Sequence, residues 1–596
     1  MAIYDTKQTN VRIVNYIRTY HKRRILFLVC VFFGVLFLLM VRLVYLMVFQ
    51  ADHFGVLAQE IQERERSIKA ERGRIFDRNG IELASNKPVC TISVIYNQVK
   101  EPDRVIEILV KELGLEREYV EKRVRKKSSR EKIKSNVEKE IADRIRTYDL
   151  EGVMVDEDYK RFYPYSSLAS KVIGFTGSDN QGIIGLEVAY DKELQGKNGI
   201  IYTLTTAKGI EIKNVAERRQ EPVPGNDLYT SLDVNIQEYA WQAAKKVREE
   251  KNAKSVKVIV LNPQNGEIYA MVNEPEFDAN NPYTLIEQND TSKLTDKEKN
   301  DLLNTMWRNA CISDTYEPGS TFKIVTATAA LEEGKVSLSD SFYCPGYKIV
   351  EDRRIHCHKT VGHGAESFKE GIMNSCNPVF MEIGERTGVN GMCKWFQKLG
   401  LTEKTGIDVP GEANSIMHKK ENIGAVELAT MSFGQSFQIT PLQLIRTVSA
   451  VVNGGNLITP HFGVKIENRD MTKIKKLEYQ EKKHAISKET SETMKMLLEA
   501  VVSEGGGNKA YIEGYRIGGK TATSEKLPRS SNKYISSFIG FAPANNPKVL
   551  AILLIDEPGG VYYGGTIAAP VVKGIFENIL PYLGIEKQYI KQETTS

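Results

Sequence analysis

The chain has 596 residues, of which 41% are hydrophobic and 26% charged. That mixture excludes a largely disordered or collagen-like polymer, and a chain this long can bury a large core without staples. The 81 basic and 76 acidic residues leave a formal charge of +5, too near balance to argue for nucleic acid as a partner, and seven cysteines are too few for a disulfide scaffold.

The first strong signal is an uncharged apolar run at residues 25–41, interrupted by Arg42 and resumed as far as Phe49. About 20 apolar residues cross a bilayer as a helix. Residues 25–49 are therefore expected to span one, with Arg42 snorkelling to the far interface. The run is longer than the apolar core of a cleaved signal, and Phe49-Gln50-Ala51-Asp52-His53 makes a poor cleavage site. Lys7, Arg12, Arg18, Lys22, Arg23 and Arg24 precede it, against Asp5. That bias puts the tail 1–24 in the cytoplasm and everything after about residue 50 outside. No second run reaches spanning length, so a single-pass protein with a large extracytoplasmic part is expected.

Residues 50–225 form a first region. Asn79-Gly80 marks a tight hairpin turn. The charged stretch at about 115–148 interleaves acids and bases around helically spaced apolar residues, which reads as a solvated helical face. Glu221-Pro222-Val223-Pro224-Gly225-Asn226 is the best boundary signal. Residues 226–583 form a second region. Strands are expected at 256–261 and 267–272, helices from about 318 to 505, and strands again at 515–520, 537–542 and 549–555. A strand pair, then helices, then three strands gives an α/β sandwich whose antiparallel sheet joins the two ends of the region. The polar tail 584–596 is expected to be loose.

Tyr316-Glu317-Pro318-Gly319-Ser320-Thr321-Phe322-Lys323 opens a helix that Gly334 ends. Ser320 and Lys323 are three apart and share a face. A serine hydroxyl is a weak nucleophile without a base in reach. Lysine serves as that base only when neutral, which burial or a neighbouring cation can bring about. The helix N-terminus adds N–H groups for an attacked carbonyl. Ser-x-x-Lys alone is a weak pattern and gains weight only from partners.

Two partners follow. Ser375-Cys376-Asn377 sets a hydroxyl and an amide on one side of a cleft: Ser375 to relay a proton to a leaving group, Asn377 to hold a substrate amide. Lys520-Thr521-Ala522-Thr523 follows a strand-like run. Lys520 and Thr521 can bind a substrate carboxylate, Lys520 adds positive potential near Lys323, and the N–H groups of Thr523 and Ser320 can form an oxyanion hole. Two literal matches are decoys. Gly514 to Thr521 fits a P-loop pattern, but a polar, Pro-broken segment follows it where a helix is needed. Lys404-Thr405-Gly406 lies in a turn with no apolar strand leading in.

Taken together, Ser320-x-x-Lys323, Ser375-x-Asn377 and Lys520-Thr521 resemble the three motifs of penicillin-binding proteins and serine β-lactamases. YEPGSTFK, SCNPVF, TGIDVPGE, RGRIFDRNG and SFGQSFQITPLQL, with the single anchor, are similar to class B (monofunctional) penicillin-binding proteins of the division/sporulation type. The resemblance runs over about residues 25–583. It implies a transpeptidase domain of the penicillin-binding-protein/serine β-lactamase type at 226–583, carried on a dimerisation-type pedestal at 50–225. It further implies a D,D-transpeptidase of the bacterial plasma membrane that cross-links peptidoglycan stem peptides through a Ser320 acyl-enzyme and is acylated by β-lactams. Lys323 would take the serine proton, and Lys520, Thr521 and Thr523 would grip the terminal carboxylate. Without a glycosyltransferase domain ahead of it, glycan polymerisation would fall to a separate enzyme of the cell-wall machinery. No cofactor and no nucleic acid are implied.

One departure stands out: Ala522 replaces the glycine that usually follows Lys-Thr. A β-methyl there is expected to narrow the cleft and slow acylation by bulky β-lactams. Two other readings remain open, a non-catalytic scaffold or β-lactam sensor, and a hydrolase such as a D,D-carboxypeptidase or β-lactamase. Cys344 and Cys357 flank a hairpin-like segment and form a candidate disulfide or redox pair. His356, Cys357, His358 and His363 suggest a metal cluster, but their spacing is irregular and the resemblance needs no metal, so none is expected. Cys376 reads as a small helix residue near the cleft.

Overall fold

The computed structural model describes residues 6–54, 57, 63–204, 218–286 and 293–588. Of the polar tail 584–596, residues 589–596 lie outside the described residues. An α-helix, Thr6–Val44, continues into a π-helical turn, Tyr45–Phe49. Within it His21–Phe49 is the one segment among the described residues long and apolar enough to cross a membrane. Its Phe27, Phe37 and Leu38 stand exposed, as lipid-facing side chains must.

The rest of the chain forms two compact units. One draws its described residues from Met1–Ile68, Val89–Asp158 and Asn198–Glu221. Its core gathers Ile92, Val94, Val105, Ile106, Leu109, Ile133 and Ile145. The charged stretch folds as the helices Arg117–Val124 and Lys139–Thr147 around the strand Glu131–Glu138. Val120, Val124 and Ile133 are buried, whereas Arg125, Lys126 and Lys127 face solvent.

The other unit takes Lys69–Pro88, Tyr159–Lys197 and Pro222–Ser596. Compactness thus does not follow a single cut at residue 225: two early segments fold with the region from Pro222 onward. Ion pairing and strand pairing explain why. Arg72 Nε meets Glu187 at 2.6 Å, Arg72 Nη1 meets Asp191 at 2.8 Å, and Arg161 Nε meets Glu187 at 2.7 Å. All three members Arg72, Arg161 and Glu187 are buried. Burial opposes charge on Glu187, yet the two arginines hold its carboxyl below the usual range. The strand Ile75–Phe76 also pairs in parallel with Asp227–Thr230.

The helix Val234–Lys251 (α1) starts where the Asp233 carboxylate accepts from the N–H groups of Asn235 and Ile236. Strands Ser255–Leu261 (β1) and Ile268–Glu274 (β2) follow. Next come the helices Lys323–Glu332 (α2), Asn377–Lys398 (α3), Pro441–Val452 (α4) and Lys488–Ser503 (α5). Strands Gly518–Glu525 (β3), Tyr534–Ala542 (β4) and Val549–Asp556 (β5) and the helix Ala569–Tyr582 (α6) complete the unit. The sheet runs β2-β1-β5-β4-β3, antiparallel throughout.

Period-two alternation sorts the strand residues between two cores. Val256, Val258 and Val260 pack with Ala240, Val247, Ile575 and Phe576, on the α1/α6 side. Ile259 and Leu261 pack with Ile324, Phe380, Leu442 and Leu498, on the side of α2 to α5. β3 is left at the sheet edge, so alternate backbone groups of Lys520 to Thr523 point away from the sheet. That edge is where the site forms.

Candidate active site

The turn that carries Ser320 is tighter than a plain helix start. Gly319–Phe322 is a 3-10 turn that passes into α2 at Lys323. Thr321 Oγ1 donates to Pro318 O at 2.7 Å and fastens it. Gly319 has φ 55 and its N–H donates to Gly434 O at 2.9 Å. A Cβ on Gly319 would lie 2.4 Å from Ser524 Oγ, and one on Gly434 would lie 2.1 Å from Gly319 O. Only glycine fits at either place. The Ser436 N–H donates to Glu317 Oε1 at 2.8 Å, and Tyr316 and Ile439 exchange backbone hydrogen bonds at 3.0 and 3.1 Å. The segment SFGQSFQIT therefore grips the turn that carries Ser320.

Ser375 and Asn377 sit at a junction of two helices. Ser367 and Glu370 form a capping box that starts Phe368–Met373. That helix ends with Ser375 in the left-handed region, φ 52, and the Cys376 N–H returns to Gly371 O at 2.9 Å. Cys376 then caps α3, which Pro378 helps to start. The reversal aims both polar side chains at Lys323. Lys323 Nζ donates to Ser375 O at 2.6 Å and to Asn377 Oδ1 at 2.7 Å, and reaches Ser375 Oγ at 3.3 Å. Asn377 Nδ2 donates to His356 O at 3.1 Å. The Asn377 amide is thereby engaged at both ends and keeps one N–H for a ligand.

Lys323 is buried and its Nζ lies 5.4 Å from the centre of the Phe380 ring. Burial pushes its ammonium down to about 8, against the opposing pull of Cys376, Cys357 and Glu366. Lys520 is buried too, and burial followed by the charge of Lys323 pushes it well below its ordinary value. The charge of Lys323 thus disfavours protonation of Lys520, whereas the sequence expects the converse; burial is what lowers Lys323.

One cavity of about 680 Å³ is lined by Ser320, Ser375, Asn377, Thr521, Ala522 and Thr523 among others; Lys323 and Lys520 are buried and not part of its lining. Thr523 Oγ1 accepts from the Gly564 N–H at 2.9 Å and keeps its own hydrogen to donate. Ala522 lines the cavity but is only 3% exposed. Its methyl is turned toward Gly319, 3.6 Å from where a Cβ would stand there, and Gly564 closes on its carbonyl so tightly that a Cβ would come within 2.1 Å. The methyl occupies space beside the turn that carries Ser320 rather than in the open cleft.

The remaining candidates divide. Lys404-Thr405-Gly406 is outside the cavity: the Thr405 and Gly406 N–H groups serve the Glu412 carboxylate at 2.7 and 3.2 Å. Gly514 to Thr521 leads into strand β3 and not a phosphate-binding helix. Cys344 and Cys357 are free thiols, not a disulfide. Their neighbours include Cys376 and His363; the sequence groups His363 with Cys357 but brings neither Cys344 nor Cys376 into that cluster. The cavity lining also includes Phe433, Gln435, Lys509 and Tyr563, none of which a spacing pattern marks.

Residues 256–577 match the penicillin binding protein transpeptidase domain, and residues 67–230 match the penicillin-binding protein dimerisation domain. Stage V sporulation protein D of Bacillus subtilis (strain 168) is 39% identical over 591 residues, covering 96% of this chain and 89% of that protein. The probable peptidoglycan D,D-transpeptidase PenA of Neisseria meningitidis serogroup A is 30% identical over 539 residues, 88% of this chain and 86% of its own. A peptidoglycan synthetase from Bifidobacterium adolescentis has the same fold, with a TM-score of 0.71 at 20% identity over 89% of this chain and 99% of that one.

Proposed function

The chain belongs to the class B penicillin-binding proteins, and from that premise we propose that it is a serine-type peptidoglycan D,D-transpeptidase anchored by its N-terminal helix. One observation carries the reading. The buried Lys323 amine, lowered to about 8, lies between Ser375 and Asn377 and one turn from Ser320 in the cavity that Thr521 and Thr523 line.

Neutral Lys323 accepts the Ser320 hydroxyl proton as Ser320 Oγ attacks the penultimate D-alanine carbonyl of a stem peptide. The N–H groups of Ser320 and Thr523 receive the developing oxyanion. Ser375, within reach of Lys323, passes the proton to the departing D-alanine amine. Lys520, Thr521 and the Thr523 hydroxyl hold the terminal carboxylate. An amine from a neighbouring strand then attacks the acyl-Ser320 ester and frees the serine. A β-lactam enters as the donor does and acylates Ser320. The basic tail 1–24 supports an N-terminus inside and a catalytic unit outside the membrane, with glycan strands supplied by a separate glycosyltransferase. Likeness to a sporulation protein supports the division/sporulation branch.

The test is fluorescent-penicillin labelling of the full-length protein beside Ser320→Ala, followed by product analysis on stem-peptide substrate. Label on the wild type alone, with cross-linked dimer formed, supports the reading. Equal labelling of both proteins refutes Ser320 as nucleophile. Released D-alanine without dimer makes the protein a hydrolase, and no label and no product make it a scaffold.

A further inference from the structure

Between the strands Ser341–Cys344 and Gly364–Ser367 the chain makes a small excursion beside the cavity, and four soft or borderline donors converge under it. The sulfurs of Cys344, Cys357 and Cys376 and a ring nitrogen of His363 all lie within 4.8 Å of one another. The three cysteines are buried and all three are free thiols. Cys357 Sγ is 3.7 Å from His363 Nδ1. Two ligands of one tetrahedral zinc ion, with bonds of about 2.0 and 2.3 Å, stand about 3.5 Å apart.

The fold brings each donor in by backbone pairing. Cys344 is the register partner of Gly364, which puts His363 next to it. The Cys357 N–H donates to Gly346 O at 2.8 Å and seats Cys357 beside the Cys344 turn. Cys376 arrives from the other side, as the cap of α3. A further observation points to a cation. Glu366 is buried with Oε2 only 3.8 Å from His363 Nδ1, and that oxygen makes no hydrogen bond among the described residues. A buried carboxylate oxygen without a donor is costly unless positive charge is near.

We propose that Cys344, Cys357, His363 and Cys376 form a closed, four-coordinate site for a thiophilic divalent ion of the zinc(II) class, and that this ion positions the Ser375-x-Asn377 segment. Three thiolates and an imidazole suit zinc, whereas magnesium and calcium need oxygen donors. With all four positions taken by the protein, the ion has no place for substrate and acts structurally. Binding one dication releases one proton from each of three thiols and involves no electron transfer. The link to the cavity is direct. Cys376 lies between Ser375 and Asn377, and Asn377 Nδ2 holds the carbonyl of His356, the neighbour of Cys357. The ion would fasten both ends of that connection, and with it the oxygens that hold Lys323.

The experiment uses full-length protein in detergent, reduced, stripped with a chelator and reloaded with zinc or cobalt(II). The expected result is one equivalent of metal per chain, a thiolate-to-cobalt charge-transfer band with the visible spectrum of a tetrahedral ion, and a raised Tm. Cys344→Ser and His363→Ala should lose the metal, while Cys393→Ser and Ser320→Ala should keep it. That last variant separates this proposal from the assignment of the nucleophile. Stripped wild type should react with fluorescent penicillin about tenfold more slowly or worse, and recover on reloading. The wild-type cobalt spectrum decides the matter even where a ligand variant fails to fold. Reduced wild type that takes up no stoichiometric metal overturns the site, as does a Cys344–Cys357 disulfide in the protein as isolated. Stripped protein with unchanged labelling rate overturns the positioning role.

Discussion

Lys323 Nζ and Asn377 Oδ1 are 2.7 Å apart, a hydrogen bond that draws a buried amine toward the oxygens of the Ser375–Asn377 junction. The amine can accept a proton only in its neutral form. Burial brings it down to about 8, with Cys376, Cys357 and Glu366 pulling the other way. Since protonated Lys323 is inactive as a base, Ser320 acylation should climb as pH rises and level off above about 8. Stopped-flow acylation with a chromogenic β-lactam between pH 6 and 9.5, values chosen to bracket that midpoint at roughly ±2 units, measures it. A flat profile would remove Lys323 from the role of base.

Gly319 and Gly434 leave no room for a side chain. Gly434→Ala should push the nucleophile turn out of place and lower the acylation rate by a factor of about 100, with the protein still folded. Penicillin labelling beside a thermal melt distinguishes the two effects. Near-normal labelling would mean that the turn tolerates the shift.

Ala522 invites a change in the opposite direction. Ala522→Gly removes a methyl that lies beside the turn carrying Ser320 rather than in the open cleft, so loosening that turn by about 1 kcal/mol should give roughly a fivefold gain in acylation by bulky and small β-lactams alike. No gain with either class sinks the idea that this methyl limits the reaction.

Glu187 answers to two buried arginines. Glu187→Gln takes the counter-charge from Arg161 and leaves Arg72 with Asp191, and should cost about 3–5 kcal/mol, read as a lowered Tm. The pH sign follows from its depressed carboxyl. Its contribution is present above the unfolded-state value and is lost as pH falls through the lower folded-state value. The wild type should therefore lose stability on acidification through that window, and Glu187→Gln should lose less.

Much of the catalytic unit was legible in residue order. The strands expected at 256–261, 537–542 and 549–555 lie within β1, β4 and β5, because alternating or continuous apolar residues betray buried strands. The strand expected at 515–520 was misplaced. β3 covers Gly518–Glu525, and its Lys, Thr and Ser residues carry no apolar signal because the strand lies at the sheet edge, where Thr521 and Thr523 line the cavity. The motif residues Ser320, Ser375, Asn377 and Thr521 share one cavity, since short motifs encode local turns that the fold then brings together. Two things stayed hidden. The gathering of Cys344 and Cys376 with Cys357 and His363 depends on pairing between a small hairpin and a distant helix cap, which no linear spacing expresses. The clasp of Glu317 and Gly319 by residues 432–439 is likewise a tertiary fact.

The interleaving of early and late segments in the catalytic unit sets an order of events at the ribosome. The Arg74 N–H binds the carboxylate of Asp227, a residue made 153 positions later. At translation speeds of roughly 5–20 residues per second, that first strand waits about 8–30 s for its partner. In that interval the Arg72 guanidinium has no Glu187 for most of the wait, and the strand edge at Ile75 is open to other chains. A nascent-chain chaperone would find its natural client in residues 69–88, and shortening the protein from its N-terminal side past residue 69 would remove part of the catalytic unit itself.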